Sequence, residues 1–123
     1  MNAAQFKAAM AAEMKRAVET GRRPRWPAGG QELAGWFVEL SDRRTWHATG
    51  PNPIGYSDMI AWANLMRWPV LPRHIEILAA LDNAWIGAFY AKRGTKEQQK
   101  DIKTLPARSA HAVSPKLFDA IFG

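Results

Sequence analysis

The chain has 123 residues, the length of one domain with a single modest core, so a multidomain enzyme is excluded. Its composition is 47% hydrophobic with six Trp and five Phe, enough apolar surface to fold, and it has no cysteine, which excludes disulfide scaffolds, thiolate zinc sites and cysteine nucleophiles. The net charge of +6 lies at the two ends: residues 1–25 carry +4 and residues 92–123 carry +4, whereas 26–91 carry −2.

The first stretch, Asn2 to Thr20, is rich in Ala, Lys, Glu and Met and is followed by Gly21, a pattern that predicts a short helix with a glycine stop. Phe6, Met10, Met14 and Val18 form a narrow stripe that could dock on the chain's own core or on a partner. The following GRRPRWPAGG reads as a linker over 21–30, which would leave the N-terminal helix free to move. From Gln31 to about Trp46, Leu33, Trp36, Phe37 and Leu40 face one way and Glu32, Glu39, Asp42 and Arg43 the other, as in an amphipathic helix. HATGPNPIGY is broken by Gly50, Pro51, Pro53 and Gly55 and reads as an ordered loop with Ile54 as anchor.

Ser57 is then expected as an N-cap, and SDMIAWANLMR, apolar nearly all round, as a central helix. After WPVLP, Pro72 opens a longer helix to about Tyr90 with Ile75, Leu78, Leu81, Asp82, Trp85 and Phe89 on one side. Lys92 to Val113 reads as a flexible or partly helical basic arm. Ser114 and Pro115 open a last short helix in which Leu117, Phe118, Ile121 and Phe122 cluster. No sustained β alternation and no repeat period occur, so the expected class is all-α: a small bundle of three core helices over 31–91, with an additional short helix at each end.

Catalytic signatures are missing from the sequence. His47, His74 and His111 are far apart with no HExxH, so neither a metal nor a cofactor is expected. Asp58, Glu76 and Asp82 each have an ordinary role, at a helix start, in a first turn, and in pairing with an Arg. There is no GxSxG, P-loop or GxGxxG. A helix–connection–helix unit across residues 57–81 makes DNA binding a rival reading, with Arg22, Arg23, Arg25 and Arg73 as its phosphate contacts; Glu76, one turn on, has the wrong sign for it. No apolar run approaches about 18 residues and the start lacks the order of a secretory signal, so a soluble cytoplasmic protein without membrane contact is expected.

Six Trp exceed what such a core needs, and Trp beside Pro-lined loops is typical of surfaces that grip another chain. Of Trp36, Trp62 and Trp85, two are expected in the core; Trp26, Trp46 and Trp68 border loops and are the better interface candidates.

The segment from about Trp36 to Ile86 has an aromatic helix, an Arg, a G-P-x-P-I loop, a Ser-Asp cap, A-W-A-x-L, a Pro, and an acidic-apolar helix ending in L-D-x-A-W. This series resembles small tail assembly proteins of long-tailed bacteriophages, as does the closing LFDAIFG. The resemblance implies a non-enzymatic tail assembly chaperone, working in the infected host's cytoplasm, that coats the helical tape measure protein while tail tube protein is recruited. Contact would then fall on Trp46, Pro51, Pro53, Ile54, Trp62 and Trp68, by a helix-in-groove mode. The basic ends depart from that expectation and keep nucleic acid or an acidic tail partner in play. Self-association, a small DNA-binding regulator and a helical head-to-tail connector stay open as alternatives.

Overall fold

The computed structural model describes the backbone of residues 1–103 and the side chains of 1–94. Helix α1 spans Ala3–Thr20. Its start is closed by a capping box, in which Asn2 Oδ1 accepts from the Gln5 amide at 2.8 Å and Gln5 Oε1 accepts from the Asn2 amide at 3.0 Å. Its end is Gly21, left-handed at φ 71°, whose N–H bonds the Ala17 carbonyl. The stripe docks on the chain's own core: Met10, Met14, Ala17 and Val18 are buried and Phe6 packs against them.

The main neighbour of α1 is α4, Pro72–Lys103. The start of α1 borders Arg73 and Ile77, and Lys92 Nζ near the far end donates to the Val18 carbonyl at 3.2 Å, so the two helices run side by side in the same direction. The connection from Gly21 to Gly30 is strapped to α1 through Glu13, which takes the Arg16 guanidinium and the Arg25 amide, the latter at 2.6 Å. Trp26 packs against the core. Helix α1 is therefore one wall of the core.

Helix α2, Gln31–Asp42, turns Leu33, Trp36, Phe37 and Leu40 inward as its periodicity requires. The loop after it contains a pair of two-residue strands, β1 Trp46–His47 and β2 Gly50–Pro51, antiparallel with Trp46 opposite Pro51. An all-helical reading does not anticipate this pair, because two residues are too few to show alternation. Gly50 is required there: a Cβ at that position would enter the Tyr90 ring.

Helix α3, Tyr56–Met66, starts two residues earlier than expected, with Gly55 rather than Ser57 at its N-cap. It ends on Arg67, left-handed at φ 58°. Only Met59 and Ala63 of α3 are buried, so α3 is peripheral, not central. Helix α4, with Ile77, Leu81 and Ala88 buried, packs mainly against α1 and only slightly against α3.

Helix α4 begins at Pro72 as expected but runs on past Tyr90 to Lys103, because Lys, Glu and Gln favour the helix and Gly94 alone does not stop it. The described residues thus hold four helices around one core, with α1 inside it and α3 at its edge; this differs from three core helices flanked by short ones. The expected C-terminal helix from Ser114 lies outside the described residues. No helix among the described residues is long and apolar enough to cross a membrane.

Candidate partner-binding surface

The loop between α2 and α3 is rich in Pro and Gly and makes few ladder bonds, so its polar groups need partners elsewhere. They converge on a buried ion pair. Arg44 Nη2 lies 2.6 Å from Asp82 Oδ1, with both side chains at most 3% exposed. Arg44 Nη1 donates to the Asn52 carbonyl at 2.9 Å, Ser41 Oγ accepts from Arg44 Nη2 at 3.0 Å, and Asp82 Oδ2 accepts from the Ile54 amide at 2.9 Å. The guanidinium also lies over the Trp85 ring, 4.4 Å from its centroid. Burial lowers the Arg44 pKa and the Asp82 charge opposes that shift. The Asp82–Arg pairing was visible as an option in sequence; that Arg44 is its partner was not, since 38 residues of chain separate them.

This anchor turns part of the loop inward. Pro51 is fully buried, Ile54 is half-buried and packs against the core, and Pro53 is exposed. Tyr90 Oη reaches His47 Nε2 at 3.3 Å and donates to the Pro51 carbonyl at 3.4 Å, and Arg93 donates to the Thr49 carbonyl. Trp46 is 45% exposed, with its inner edge on Phe89 at 5.8 Å and Trp85 at 6.3 Å between ring centroids.

A second aromatic group forms around Trp36. Trp62 meets it edge-on at 6.1 Å, Trp68 at 6.2 Å and His74 at 5.5 Å. The structure therefore brings Trp62 and Trp68 together and sets Trp46 in a different cluster. Of the three Trp weighed as core, Trp36 and Trp85 are buried and Trp62 is half-buried, with Nε1 donating to Glu39 Oε1 at 3.1 Å. Trp62→Ala is accordingly expected to lower stability by about 2 kcal/mol, below the cost for a fully buried ring, as read by urea unfolding.

Beside this group the surface is apolar. Tyr56, Ile60, Leu65 and Met66 of α3 are 62%, 52%, 82% and 49% exposed, and Trp68 and Leu71 of the next loop 38% and 43%. Except for Trp68, these residues were not singled out from sequence. The signal in the sequence is a helix with apolar side chains on all sides, a pattern that points to burial as readily as to an exposed apolar face.

The basic residues are dispersed. Arg22, Arg23 and Arg25 lie in the connection after α1, where the Arg23 carbonyl and Arg25 amide bond to α1 side chains, and Arg73 lies in the first turn of α4. Helix α4, which carries Arg73 and His74 in its first turn, is packed along α1, and the His74 ring lies against Trp36 at 5.5 Å. Among the described residues no group of three or more His, Asp or Glu could hold a metal.

His74 Nδ1 accepts from the Leu71 amide at 2.9 Å and is therefore unprotonated there. Burial first, and then Arg73, lower its pKa, with Glu32 acting the other way. The unfolded chain takes up that proton first as pH falls, so the stability linked to His74 is complete above the ordinary imidazole range. It is lost as pH falls from that range to the lower folded value. His74→Gln should flatten the part of the stability curve that falls as pH drops below the ordinary imidazole range, as read by urea unfolding at a series of pH values.

A small helical core that pins down one loop and turns an apolar helix outward is a protein-binding module. The family model for the phage tail assembly chaperone matches residues 6–87, and the chain belongs to that family, which is typically non-enzymatic. The match runs from α1 through α3 and the buried half of α4. No curated protein and no solved structure matches the chain.

Proposed function

We propose that this chain binds the phage tape measure protein during tail morphogenesis in the host cytoplasm, shielding its apolar helical stripes while tail tube protein is recruited. The carrying observation is that α3 buries only Met59 and Ala63 while Ile60, Leu65 and Met66, with Trp68 and Leu71 beyond, face solvent. An amphipathic partner helix laid on this surface would remove water from both apolar faces at about 25 cal/mol per Å2 of surface covered. Trp68, held on one side by Trp36, loses little freedom on binding and suits the role of anchor. Trp46 and the exposed Pro53 offer a second contact on the pinned loop, suited to the tail tube subunit or to a further turn of the tape measure protein.

The test is titration of tape measure segments into the chain by calorimetry. Leu65→Asp combined with Trp68→Ala is expected to weaken binding by at least about tenfold; Leu65→Asp alone, at a side chain 82% exposed, should weaken it severalfold with the urea midpoint nearly unchanged, whereas Trp68→Ala also removes a contact with Trp36 and should lower the midpoint. Unchanged affinity in the double variant, or no binding by the native chain at micromolar concentration, would overturn the reading.

A further inference from the structure

The segment joining α3 to α4, Arg67-Trp68-Pro69-Val70-Leu71, supplies Trp68 and Leu71 to the exposed apolar surface. With Pro69 inside it and Pro72 after it, the segment has few amides with which to fix its own path. At the α3 end the backbone does so: left-handed Arg67 turns the chain and the Trp68 amide donates to the Ala63 carbonyl at 3.1 Å. In the middle the Val70 amide donates to the Trp68 carbonyl at 2.8 Å.

The α4 end is held by a side chain. Leu71 stands at the N-cap position, since its carbonyl accepts from the His74 amide at 2.8 Å and the Ile75 amide at 3.2 Å, but a leucine side chain has no polar atom to cap with. His74, three residues on, takes the part that Glu or Gln plays in a capping box, with Nδ1 accepting from the Leu71 amide at 2.9 Å. The same ring lies against Trp36 at 5.5 Å, and Trp36 also receives Trp68 at 6.2 Å. One imidazole thus fixes the Leu71 backbone and packs on the ring on which Trp68 rests. Only a neutral imidazole can accept that bond, because both nitrogens of the imidazolium are donors.

The His74 ring is half-buried and lines a cleft between the starts of α1 and α4, through which a proton can reach it. The charged groups around it are Lys7 of α1, Glu32 of α2, and Arg73 and Glu76 of α4, two of each sign. Burial is the leading cause of its lowered pKa, and the acceptor role of Nδ1 acts in the same direction.

We propose that His74 is a positioning residue for the partner surface: neutral, it latches residues 68–71 so that Trp68 and Leu71 stand beside α3, and its protonation releases them and weakens partner binding. This rests on the reading of α3 and the segment after it as a partner surface, but the first test needs no partner. In the full-length chain, nuclear magnetic resonance follows the His74 ring, the Leu71 amide and the Trp68 indole N–H over a pH series from above the ordinary imidazole range to well below it. The Leu71 and Trp68 signals should move with the midpoint of the His74 ring, and protection of the Leu71 amide from exchange should fall about fivefold, as for the loss of one ordinary hydrogen bond. His74→Gln, which keeps an acceptor at this position and does not titrate, should hold both signals level, and His74→Leu should show the released state at every pH. A Leu71 amide as protected in His74→Leu as in the native chain, or a native pH response kept by His74→Gln, would overturn the latch.

Calorimetric titration of tape measure segments over the same pH series reads the consequence. Native affinity should fall about fivefold below the imidazole range relative to that of His74→Gln. Equal pH profiles for the two chains, with the Leu71 amide released in the native one, would overturn the positioning role. Release of that amide in a chain that binds no tape measure segment at any pH would support the latch and defeat the proposed function alone.

Discussion

Arg44→Met is expected to destabilise the chain by about 3–5 kcal/mol, the cost of removing one partner from a buried ion pair. The reason lies in what remains. Asp82 would stay buried with the Ile54 amide on one oxygen and no counter-charge on the other, while Ser41 and the Asn52 carbonyl would lose their donor. Combining Arg44→Met with Asp82→Leu should cost clearly less than the two single changes added together, because the double variant leaves no orphan charge. Urea unfolding of the four chains checks this, and strict additivity would show that the pair does not act as a unit.

Trp85→Ala is expected to cost a similar amount, about 3–5 kcal/mol, through loss of apolar contact and the cavity left behind. Trp85 is 2% exposed, stacks on Phe89 at 5.5 Å, receives the edge of Trp46 and lies beneath the Arg44 guanidinium. Its removal should therefore couple with Arg44→Met, since both withdraw support from the same loop. A loss under about 1 kcal/mol at an unchanged urea slope would mean that the loop collapses into the space and that Trp85 is not the loop's floor.

The two predictions bear on function through the loop. Arg44, Asp82 and Trp85 touch no proposed partner, yet they hold residues 44–55 on α4 and so set where α3 begins. A variant that frees the loop is expected to disturb α3 without changing one exposed residue of its surface.

Helices whose one face is apolar were legible from their pattern: α2 through Leu33, Trp36, Phe37 and Leu40, and the first half of α4 through Leu78, Leu81, Trp85 and Phe89. The buried stripe of α1 was legible as a stripe, but not its destination. The apolar excess of α3 is equally plain, but its placement is not, because a helix apolar on all sides reads the same whether it lies inside the core or at its edge, and here only Met59 and Ala63 are buried. Pro51 and Ile54 illustrate a related ambiguity: a Pro-lined loop with an aliphatic residue can grip a partner or pack on its own core, and here the Asp82 carboxylate, 28 residues after Ile54, holds the Ile54 amide while Pro51 is buried.

Residue order alone was enough to establish a helical chain with aromatic surplus, no thiol chemistry and charge gathered at its ends, since composition and periodicity are local properties of the chain. Which helix forms a wall and which is left facing water is set by tertiary packing, in which α4 lies mainly against α1 and only slightly against α3. That packing joins segments distant in the chain, and no local pattern records its outcome.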